Sequence, residues 1–217
     1  MAHTALADGV DVASVPAGIV LRDDAGVALP LEPSRWHGPV GAAERALLVA
    51  LSGPVLDVGC GPGRIVETVI HGGAVALGVD PAPAAVAMTR RRGCPVLQRS
   101  VFEPMPGEGR WGTVLLWDGN IGIGGDPERL LRRCRELLRP GGVVVTELEP
   151  PGTRSRTCRA RLERGGQRGS WFGWSVVGAD AVVDLARSAG LVTDSVASTP
   201  DGRWFAHLSR MSDGHRG

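Results

Sequence analysis

The stretch Val55–Arg64, VLDVGCGPGR, constrains the fold of this chain more than any other. A short apolar run such as VLDV is typical of a buried strand, and the apolar residues of the following RIVETVI have helical spacing. Glycines between them permit positive backbone φ angles and let N–H groups approach a ligand without an intervening Cβ. The stretch therefore predicts a strand, a tight turn and a helix that form a binding loop.

Strand and helix patterns alternate from residue 55 to residue 149, which predicts a parallel sheet with helices on both faces. The chain ends in a helix, ADAVVDLARSAG, followed by two strands, LVTDSVAS and RWFAHLSR. These two strands predict a hairpin that adds an antiparallel edge. The fold class is therefore α/β, doubly wound, with a mostly parallel seven-stranded sheet. Before the first strand, GAAERALLVAL predicts a helix that turns Ala46, Leu47 and Ala50 toward the core.

The segment DPERLLRRCRELLRPGG has the clearest helical pattern in the chain. Asp126 is a good N-cap, Pro127 stands at the first helical position, and Gly141 follows the end. The apolar side chains predicted to share one buried face are Leu130, Leu131, Cys134, Leu137 and Leu138.

Composition narrows the class of protein further. A chain of 217 residues fits one domain. Its net charge of +1 is too small to attract the protein to nucleic acid or to an anionic membrane surface. Lysine and tyrosine are absent and Asn120 is the only asparagine, which indicates GC-rich, bacterial coding. The four cysteines form no CxxC pair, so no metal is predicted. Without a signal peptide or an apolar span, a cytoplasmic protein is expected.

Two aspartates mark the predicted ligand site. Asp57 lies in the first strand just before the glycines, where its carboxylate can face an ammonium group. Asp80 closes the second strand, about 20 residues after the loop, where an acidic residue binds paired ribose hydroxyls. Since ligands collect at the carboxyl ends of parallel strands, the two predict a nucleoside that also carries a positive amine.

VLDVGCGPGR resembles the first motif of the class I S-adenosylmethionine-dependent methyltransferases, a Rossmann-like family. GVDPAP resembles their acidic second-strand motif, and LLRPGGVVVTE resembles the segment that forms their fifth strand. The resemblance covers roughly residues 40 to 210. It implies S-adenosyl-L-methionine as cofactor, with S-adenosyl-L-homocysteine as product. The cofactor residues that it implies are Asp57, Gly59, Cys60, Gly61, Gly63, Arg64, Asp80, Pro81 and Trp117.

One position departs from the family pattern. Many members have an acidic residue after the third strand, whereas this chain reads RSVFE. Ser100, the Val101 backbone and Phe102 are the expected substitutes beside the adenine. A nicotinamide dinucleotide site is the main competing interpretation, but the GxGxG spacing and Pro62 favour the methyltransferase.

The methyl acceptor is expected at the end of the fourth strand, LLWDGNIGIGG. Asp118 is the first catalytic candidate, with a turn aspartate as the alternative. His37 is the second, with a packing histidine as the alternative. Asn120 and Trp36 are candidate acceptor contacts, and Glu147 and Glu149 rank below Asp118.

The segment TRSRTCRARLERGGQRG, followed by WFGW, lies where the family carries substrate-specific insertions. Its arginines can bind an anionic substrate or nucleic acid, although the pattern also fits a solvated loop. Arg154, Trp171 and Trp174 are candidate substrate contacts, and core packing is the alternative for one tryptophan.

The predicted organisation is a partly ordered lead-in or lid (1–40), a methyltransferase domain (41–210) with a substrate-side insertion (150–175), and a tail (211–217). The predicted function is methyl transfer to a small-molecule metabolite by a monomer or homodimer, without nucleic acid or membrane. An RNA or DNA methyltransferase that uses the arginine-rich segment 154–168, and a non-catalytic S-adenosylmethionine-binding protein, are the alternatives.

Overall fold

A computed structural model of the protein describes residues 18–31, 36–51 and 53–210. Strands and helices alternate through the middle of the chain, as the apolar pattern predicts. The strands are β1 (Ile19–Asp23), β2 (Ala28–Leu31), β3 (Val55–Val58), β4 (Ala76–Asp80), β5 (Val96–Gln98), β6 (Trp111–Leu116), β7 (Leu138–Leu148), β8 (Arg156–Arg164), β9 (Gln167–Arg168), β10 (Phe172–Val176), β11 (Leu191–Ser198) and β12 (Trp204–Arg210).

Five α-helices and two short 3₁₀ segments connect these strands in the described part of the chain. Among the described residues, no helix has both the length and the apolar character needed to cross a membrane. The helices are α1 (Ala42–Val49), α2 (Arg64–His71), α3 (Pro83–Arg91), α4 (Pro127–Leu137) and α5 (Val182–Ser188), and the 3₁₀ segments are Asn120–Gly125 and Ala179–Ala181.

The main sheet has seven strands in the order β11-β12-β7-β6-β3-β4-β5. The five strands from β3 to β7 pair in parallel, whereas β12 runs antiparallel to β7, and β11 antiparallel to β12. The predicted fold class is therefore confirmed, including the C-terminal hairpin. Strand order reverses between β3 and β6, so the first strand-to-helix turn opens at the point where ligands collect in such sheets.

Two apolar clusters cover the two faces of the main sheet. In one, helix α4 packs its predicted face against β6 and β7, and all five predicted side chains are buried. In the other, Val66 of α2 packs with Leu115, Val145 and Phe205. The helix face predicted from the α4 pattern is therefore confirmed, because a single apolar stripe in that helix determines which side meets the sheet.

The face assigned to α1 was wrong. Ala46 and Ala50 are exposed and Leu47 is half-buried, whereas Glu44 and Leu48 are buried. A charged residue normally marks the solvent side of a helix. Here Glu44 is on the buried side because two arginines from other parts of the chain meet its carboxylate.

The predicted helix after Asp126 is shorter than its pattern. Helix α4 ends at Leu137, and the backbone of Leu138 is already extended and pairs with Trp111. Pro140 explains the early end, since proline lacks the N–H that a helix requires and disfavours a helical residue before it.

A second, smaller sheet lies beside the main one and is called the roof sheet. It consists of β1, β2, β8 and β10 in the order β10-β8-β1-β2, with β9 paired to β8, and all pairings are antiparallel. The interpretation of the arginine-rich segment as a solvated loop was wrong, because Arg156–Arg164 is the central strand β8. The strand was missed because its alternation is between arginine and small residues, which carry little apolar signal.

The roof sheet joins two segments that are far apart in sequence. Strand β1 belongs to the predicted lead-in, and it pairs with β8 from the predicted insertion. The division into lead-in, domain and tail stays a prediction, and residues 1–17, 32–35, 52 and 211–217 lie outside the described residues.

Replacement of Leu131 by alanine is expected to lower the free energy of unfolding by about 2–5 kcal/mol, because the side chain is fully buried under the main sheet. Val183→Ala is the matched control, since Val183 is 46% exposed and its loss is expected to change stability by less than about 0.5 kcal/mol. Urea denaturation followed by circular dichroism measures both. Equal effects of the two substitutions would contradict this account of the core.

Candidate active site

A cavity of about 550 Å³ opens at the carboxyl ends of β3, β4 and β6, and the roof sheet closes its far side. Many of the predicted site residues lie together on its wall. They are Trp36, His37, Asp57, Gly59, Cys60, Gly61, Arg64, Asp80, Trp117, Asp118, Asn120 and Trp174. The other predicted site residues do not line it, namely Gly63, Pro81, Ser100, Val101, Phe102, Arg154 and Trp171.

The glycine loop between β3 and α2 requires glycine for two physical reasons. Gly59, Gly61 and Gly63 all have positive φ, at 72°, 54° and 83°. A Cβ on Gly63 would lie 2.6 Å from Thr89, and one on Gly59 would lie 2.7 Å from the amide nitrogen of Asn120. The loop therefore combines a left-handed backbone with close packing. A residue with a Cβ would be strained by the first and would collide with neighbours in the second.

Asn120 holds this loop in place. Its side-chain amide donates to the carbonyl oxygens of Val58 (2.8 Å) and Gly59 (3.0 Å). Asn120 begins the 3₁₀ segment after β6, so these bonds tie the end of β6 to the end of β3. Its contact with a methyl acceptor stays a prediction, and the geometry gives it a role in shaping the loop.

Asp57 is the most unusual ionisable group of the cavity. Its side chain is only 2% exposed, and its Oδ2 atom has no hydrogen-bond partner among the described residues. Burial, together with the charges of Asp118 and Asp80, raises its pKa to about 7, against the opposing effect of Arg64. A buried carboxylate with an unpaired oxygen is costly unless a cation meets it. The site therefore fits a ligand that carries a positive group beside the glycine loop.

Asp80 lies at the end of β4, on the opposite side of the loop. Its two carboxylate oxygens accept hydrogen bonds from the backbone N–H groups of Gly61 (3.0 Å) and Ala82 (2.8 Å). Burial raises the pKa of Asp80, and these two bonds oppose the rise. Each carboxylate oxygen has a further lone pair, so the anchored side chain can still accept from ligand hydroxyls.

Beneath the cavity, five charged side chains form a continuous set of ion pairs, called here the ion network. Arg64 donates from Nη1 to both oxygens of Glu44 and from Nη2 to both oxygens of Asp118, at 2.9–3.1 Å. Arg203 donates from Nε and Nη2 to Glu147, at 2.8 Å and 2.6 Å. Arg203 also bonds Glu44 and Asp118, which closes the network.

Glu44 is an acid of the network whose pKa is lowered by its partners. Although burial acts to raise its pKa, Arg203, the indole N–H of Trp117 and Arg64 together lower it to about 2. The Trp117 indole donates to the Glu44 carboxylate at 3.0 Å, and its ring packs on Phe205 with 4.5 Å between centroids. Glu44 therefore stays ionised across the physiological pH range and holds both arginines.

The backbone of Asp118 is strained. Among the described residues other than glycine, it alone has a positive φ, at 53°. Its N–H donates to Glu147 at 2.6 Å, and its carboxylate meets Arg64 and Arg203. Such strain persists only where the surroundings over-determine the conformation, and it is concentrated at functional sites. The predicted catalytic aspartate is thus held in one orientation by two guanidinium groups.

Sequence reasoning missed Glu44 and Arg203. Both are charged residues in apolar surroundings, in ERALLVAL and in RWFAHL, and both are less than 9% exposed. The available signal for Glu44 was its spacing, four residues before Leu48, which puts the two side chains on one face of α1. Arg203 stands just before β12 and carried no such signal. Nothing in one sequence shows that the two charges meet each other.

The three residues expected beside the adenine lie outside the cavity wall. Ser100 and Phe102 belong to a local turn, in which the Phe102 N–H donates to the Ser100 hydroxyl at 3.3 Å. The Phe102 ring packs under the guanidinium of Arg129, and Val101 is buried with its carbonyl bonded to Arg133. Their proposed contact with adenine stays a prediction.

The aromatic residues of WFGW separate into two environments. Trp174 lines the cavity and meets Phe172 edge to face, with 6.1 Å between ring centroids. Trp171 lies on the outer side, where the guanidinium of Arg161 is 4.6 Å from the ring centroid. Arg154 is exposed and does not line the cavity.

Trp36 and His37 line the same cavity from the segment that precedes α1. His37 is exposed, and its backbone carbonyl accepts from Arg92 at 3.0 Å. The catalytic role predicted for His37 stays a prediction, and so does the acceptor contact predicted for Trp36.

Comparison with known proteins agrees with this geometry. Residues 55–142 match the family model of a methyltransferase domain. A ubiquinone biosynthesis O-methyltransferase of Pseudomonas paraeruginosa is 34% identical over 140 residues, which are 60% of this chain and 52% of that protein. An uncharacterized protein of Mycobacterium tuberculosis is 32% identical over 112 residues, 52% of this chain and 38% of that protein. The chain thus spans about half or less of these relatives.

Solved structures show the same fold. One is an S-adenosylmethionine-dependent methyltransferase from Bacteroides fragilis in complex with S-adenosyl-L-homocysteine. It superposes with a TM-score of 0.77 at 18% identity, and the match covers 97% of this chain and 94% of the Bacteroides chain. A Burkholderia thailandensis 1,6-didemethyltoxoflavin-N1-methyltransferase superposes with a TM-score of 0.56 at 21% identity, over 78% of this chain and 76% of its own. The resemblance stated from the sequence is confirmed at this level: residues 55–142 match a methyltransferase domain, and the chain has the fold of the class I S-adenosylmethionine-dependent methyltransferases.

The ion network yields a stability prediction. Arg203→Met is expected to lower the free energy of unfolding by about 3–5 kcal/mol, because it leaves the buried Glu147 without its bidentate partner. Arg187→Met is the matched control, since Arg187 is 73% exposed in its pair with Asp184 and is expected to contribute less than about 1 kcal/mol. Both are measured by urea denaturation. A mild effect of Arg203→Met would show that the network contributes little to folding.

The raised pKa of Asp57 yields a pH prediction. Because the folded-state pKa of about 7 lies above the unfolded value near 4, the folded protein binds the extra proton between these values and loses stability as pH rises. Relative to Asp57→Asn, the free energy of unfolding of the ligand-free parent is expected to fall by roughly 2–4 kcal/mol from pH 4 to pH 7. Denaturation of both proteins at several pH values measures this, and parallel profiles would refute it.

Proposed function

We propose that the protein is an S-adenosylmethionine-dependent methyltransferase whose acceptor is a small molecule. The observation that carries the proposal is the unpaired Oδ2 of buried Asp57, a residue that lines the cavity together with the glycine loop. S-Adenosylmethionine carries an ammonium group at one end and a ribose diol near the other. Asp57 and Asp80 have the chemistry and the placement to bind these two groups.

The charge of the cavity also suits a cationic ligand. Eight Asp, Glu and Arg side chains line it, and six of them are acidic while two are arginines. This excess of negative charge favours a ligand with an ammonium and a sulfonium group over an anionic dinucleotide. The acids are Asp23, Asp57, Asp80, Asp118, Glu147 and Glu149, and the arginines are Arg64 and Arg156.

The bound cofactor supplies an activated methyl group, so the chain's main task is alignment of the acceptor and exclusion of water. The roof sheet would exclude water, and the glycine loop would hold the cofactor. Asp118 is paired with two arginines, which suits a residue that orients an acceptor proton more than one that removes it. His37, on the cavity wall, is the better-placed candidate for proton removal.

The size and lining of the cavity support a small acceptor. Ligand cavities for small molecules measure about 300–1,000 Å³, and this one must hold cofactor and acceptor together. The ubiquinone biosynthesis and toxoflavin relatives, by their names, also methylate small molecules. Arg156 is the one arginine of the arginine-rich segment that lines the cavity, so the segment offers RNA or DNA little positive surface at the proposed site.

Calorimetric titration with S-adenosyl-L-homocysteine tests the cofactor site. Micromolar affinity is expected for the parent, and Asp80→Ala is expected to weaken it by at least about 10-fold, since each hydrogen bond to a charged group contributes about 1.5–3 kcal/mol. Asp184→Asn is the control, because Asp184 is 86% exposed on α5, a helix remote from the cavity wall. Equal affinity of the parent and Asp80→Ala would remove Asp80 from the site.

Proton release gives an independent readout for Asp57. Because the ligand ammonium favours the ionised carboxylate, binding at pH 6 is expected to release a proton, and titration in buffers of different ionisation enthalpy detects it. The Asp57→Asn protein should release none. Parent protein that binds without proton release would contradict the role given to Asp57.

Methyl transfer itself separates the proposal from the non-catalytic alternative. Parent protein incubated with S-adenosylmethionine and a collection of metabolites is expected to form S-adenosyl-L-homocysteine with some of them. Tight cofactor binding without product on any acceptor would favour a binding protein. The cytoplasmic location and the monomeric or dimeric state stay predictions.

A further inference from the structure

The arginine-rich strand β8 has two chemically different faces. Side chains alternate across a strand, and Cys158, Ala160 and Leu162 line the cavity, whereas Arg159 and Arg161 do not. The two outward arginines flank Trp171 at 5.9 Å and 4.6 Å from its ring centroid. The inner face of the roof sheet is therefore mainly small and apolar along this stretch, and Arg159 and Arg161 belong to the outer face.

Register places small side chains beside large ones on the inner face. Phe172 pairs with Ala160, and Trp174 pairs with Cys158. Because cross-strand partners stand side by side on one face of a sheet, the small residues leave a shallow floor next to two aromatic walls. Leu162 and Phe172 are 45% and 38% exposed, so the slot has an apolar mouth. This shape fits a flat, mainly apolar molecule.

The slot reaches the part of the cavity where methyl transfer is proposed. Trp174 lies against the 3₁₀ segment after β6, since a Cβ on Gly122 would be 3.0 Å from its ring and one on Gly119 would be 3.9 Å away. Gly119 stands between Asp118 and Asn120, both on the cavity wall. A molecule packed on Trp174 would thus lie next to the end of β6.

One arginine of the roof sheet does face the cavity. Arg156 lines it, and its Nη1 donates to Oδ2 of Asp23 at 2.8 Å. Asp23 is 6% exposed, and its other oxygen accepts from the N–H groups of Ala25 and Val27. The ion pair therefore fixes the guanidinium at one edge of the apolar slot. Arginine has five N–H donors in a planar fork that suits carboxylates and related anions.

We propose that the roof-sheet slot binds the methyl acceptor, and that this acceptor is a flat, mainly apolar molecule with an anionic substituent held by Arg156. Trp174 and Phe172 select for the flat ring, and Arg156 selects for the charge. The proposal rests on the proposed methyltransferase function, because it assigns the acceptor half of the same cavity.

Two fluorescent probes of nearly the same shape test the slot without knowledge of the acceptor. Anilinonaphthalene sulfonate is flat, apolar and anionic, whereas phenylnaphthylamine lacks the sulfonate. Both are titrated into the full chain saturated with S-adenosyl-L-homocysteine. The sulfonate probe is expected to bind the parent with a stoichiometry of one and at least about 10-fold more tightly than the neutral probe.

Substitutions then separate charge from shape. Arg156→Met is expected to weaken the sulfonate probe by at least about 10-fold and to leave the neutral probe unchanged, and Arg156→Lys should restore part of the loss. Trp174→Ala is expected to weaken both probes. Arg159→Met and Trp171→Ala are the matched controls, since they lie on the outer face of the same sheet and should change neither titration.

Each outcome decides between the parts of the proposal. Equal sulfonate affinity of parent and Arg156→Met, or loss of binding in the outer-face controls alone, would overturn it. Failure of either probe to bind the parent would also overturn it. If the probes bind as expected while S-adenosyl-L-homocysteine does not bind at all, the slot stands and the proposed methyltransferase function fails.

With a methyl-transfer assay, the same variants give a kinetic test on flat anionic acceptors and their uncharged counterparts. For the anionic acceptor, Arg156→Met is expected to raise KM about 10-fold or more, with little change in kcat. For the uncharged acceptor, little change is expected in KM or in kcat. Equal changes for both acceptors would assign Arg156 a structural role and overturn its part in specificity.

Discussion

The ion network beneath the cavity is the interaction on which the site depends most. Arg64 and Arg203 meet three carboxylates, which come from α1, from the turn after β6 and from β7. The two guanidinium groups share the three carboxylates through direct hydrogen bonds, although Arg64 Nε has no partner among the described residues. Buried ions are tolerated only when such partners are present. The helix before the site, the glycine-loop helix and the C-terminal hairpin are thereby held in one arrangement.

The network also accounts for the properties of the neighbouring aspartates. Asp118 keeps a left-handed backbone because its carboxylate and its N–H are both engaged. Burial raises the pKa of Asp57, and the negative charges of Asp118 and Asp80 add to the rise. A ligand ammonium would relieve that repulsion, so the same charges that strain the free protein favour a cationic ligand. Backbone and electrostatic strain of this kind is typical of binding sites.

The roof sheet gives the cavity its second half. The main sheet and the glycine loop supply the proposed cofactor wall. Strands β1, β8 and β10 supply the opposite wall, where small and aromatic side chains and Arg156 face inward, whereas Arg159 and Arg161 do not line the cavity. A methyltransferase whose chemistry needs mainly alignment and a dry site can change acceptor through this second wall alone, without alteration of the cofactor residues.

The sequence by itself determined the main sheet, the hairpin and the glycine loop, because these depend on local apolar period and on glycines that only a tight turn requires. It placed Asp57 and Asp80 correctly at strand ends. Only the tertiary structure decided the partners of Glu44 and Arg203, the roof sheet that joins β1 to β8, and the inward side of Arg156. The physical reason is that pairings between distant segments leave no periodic mark in either segment.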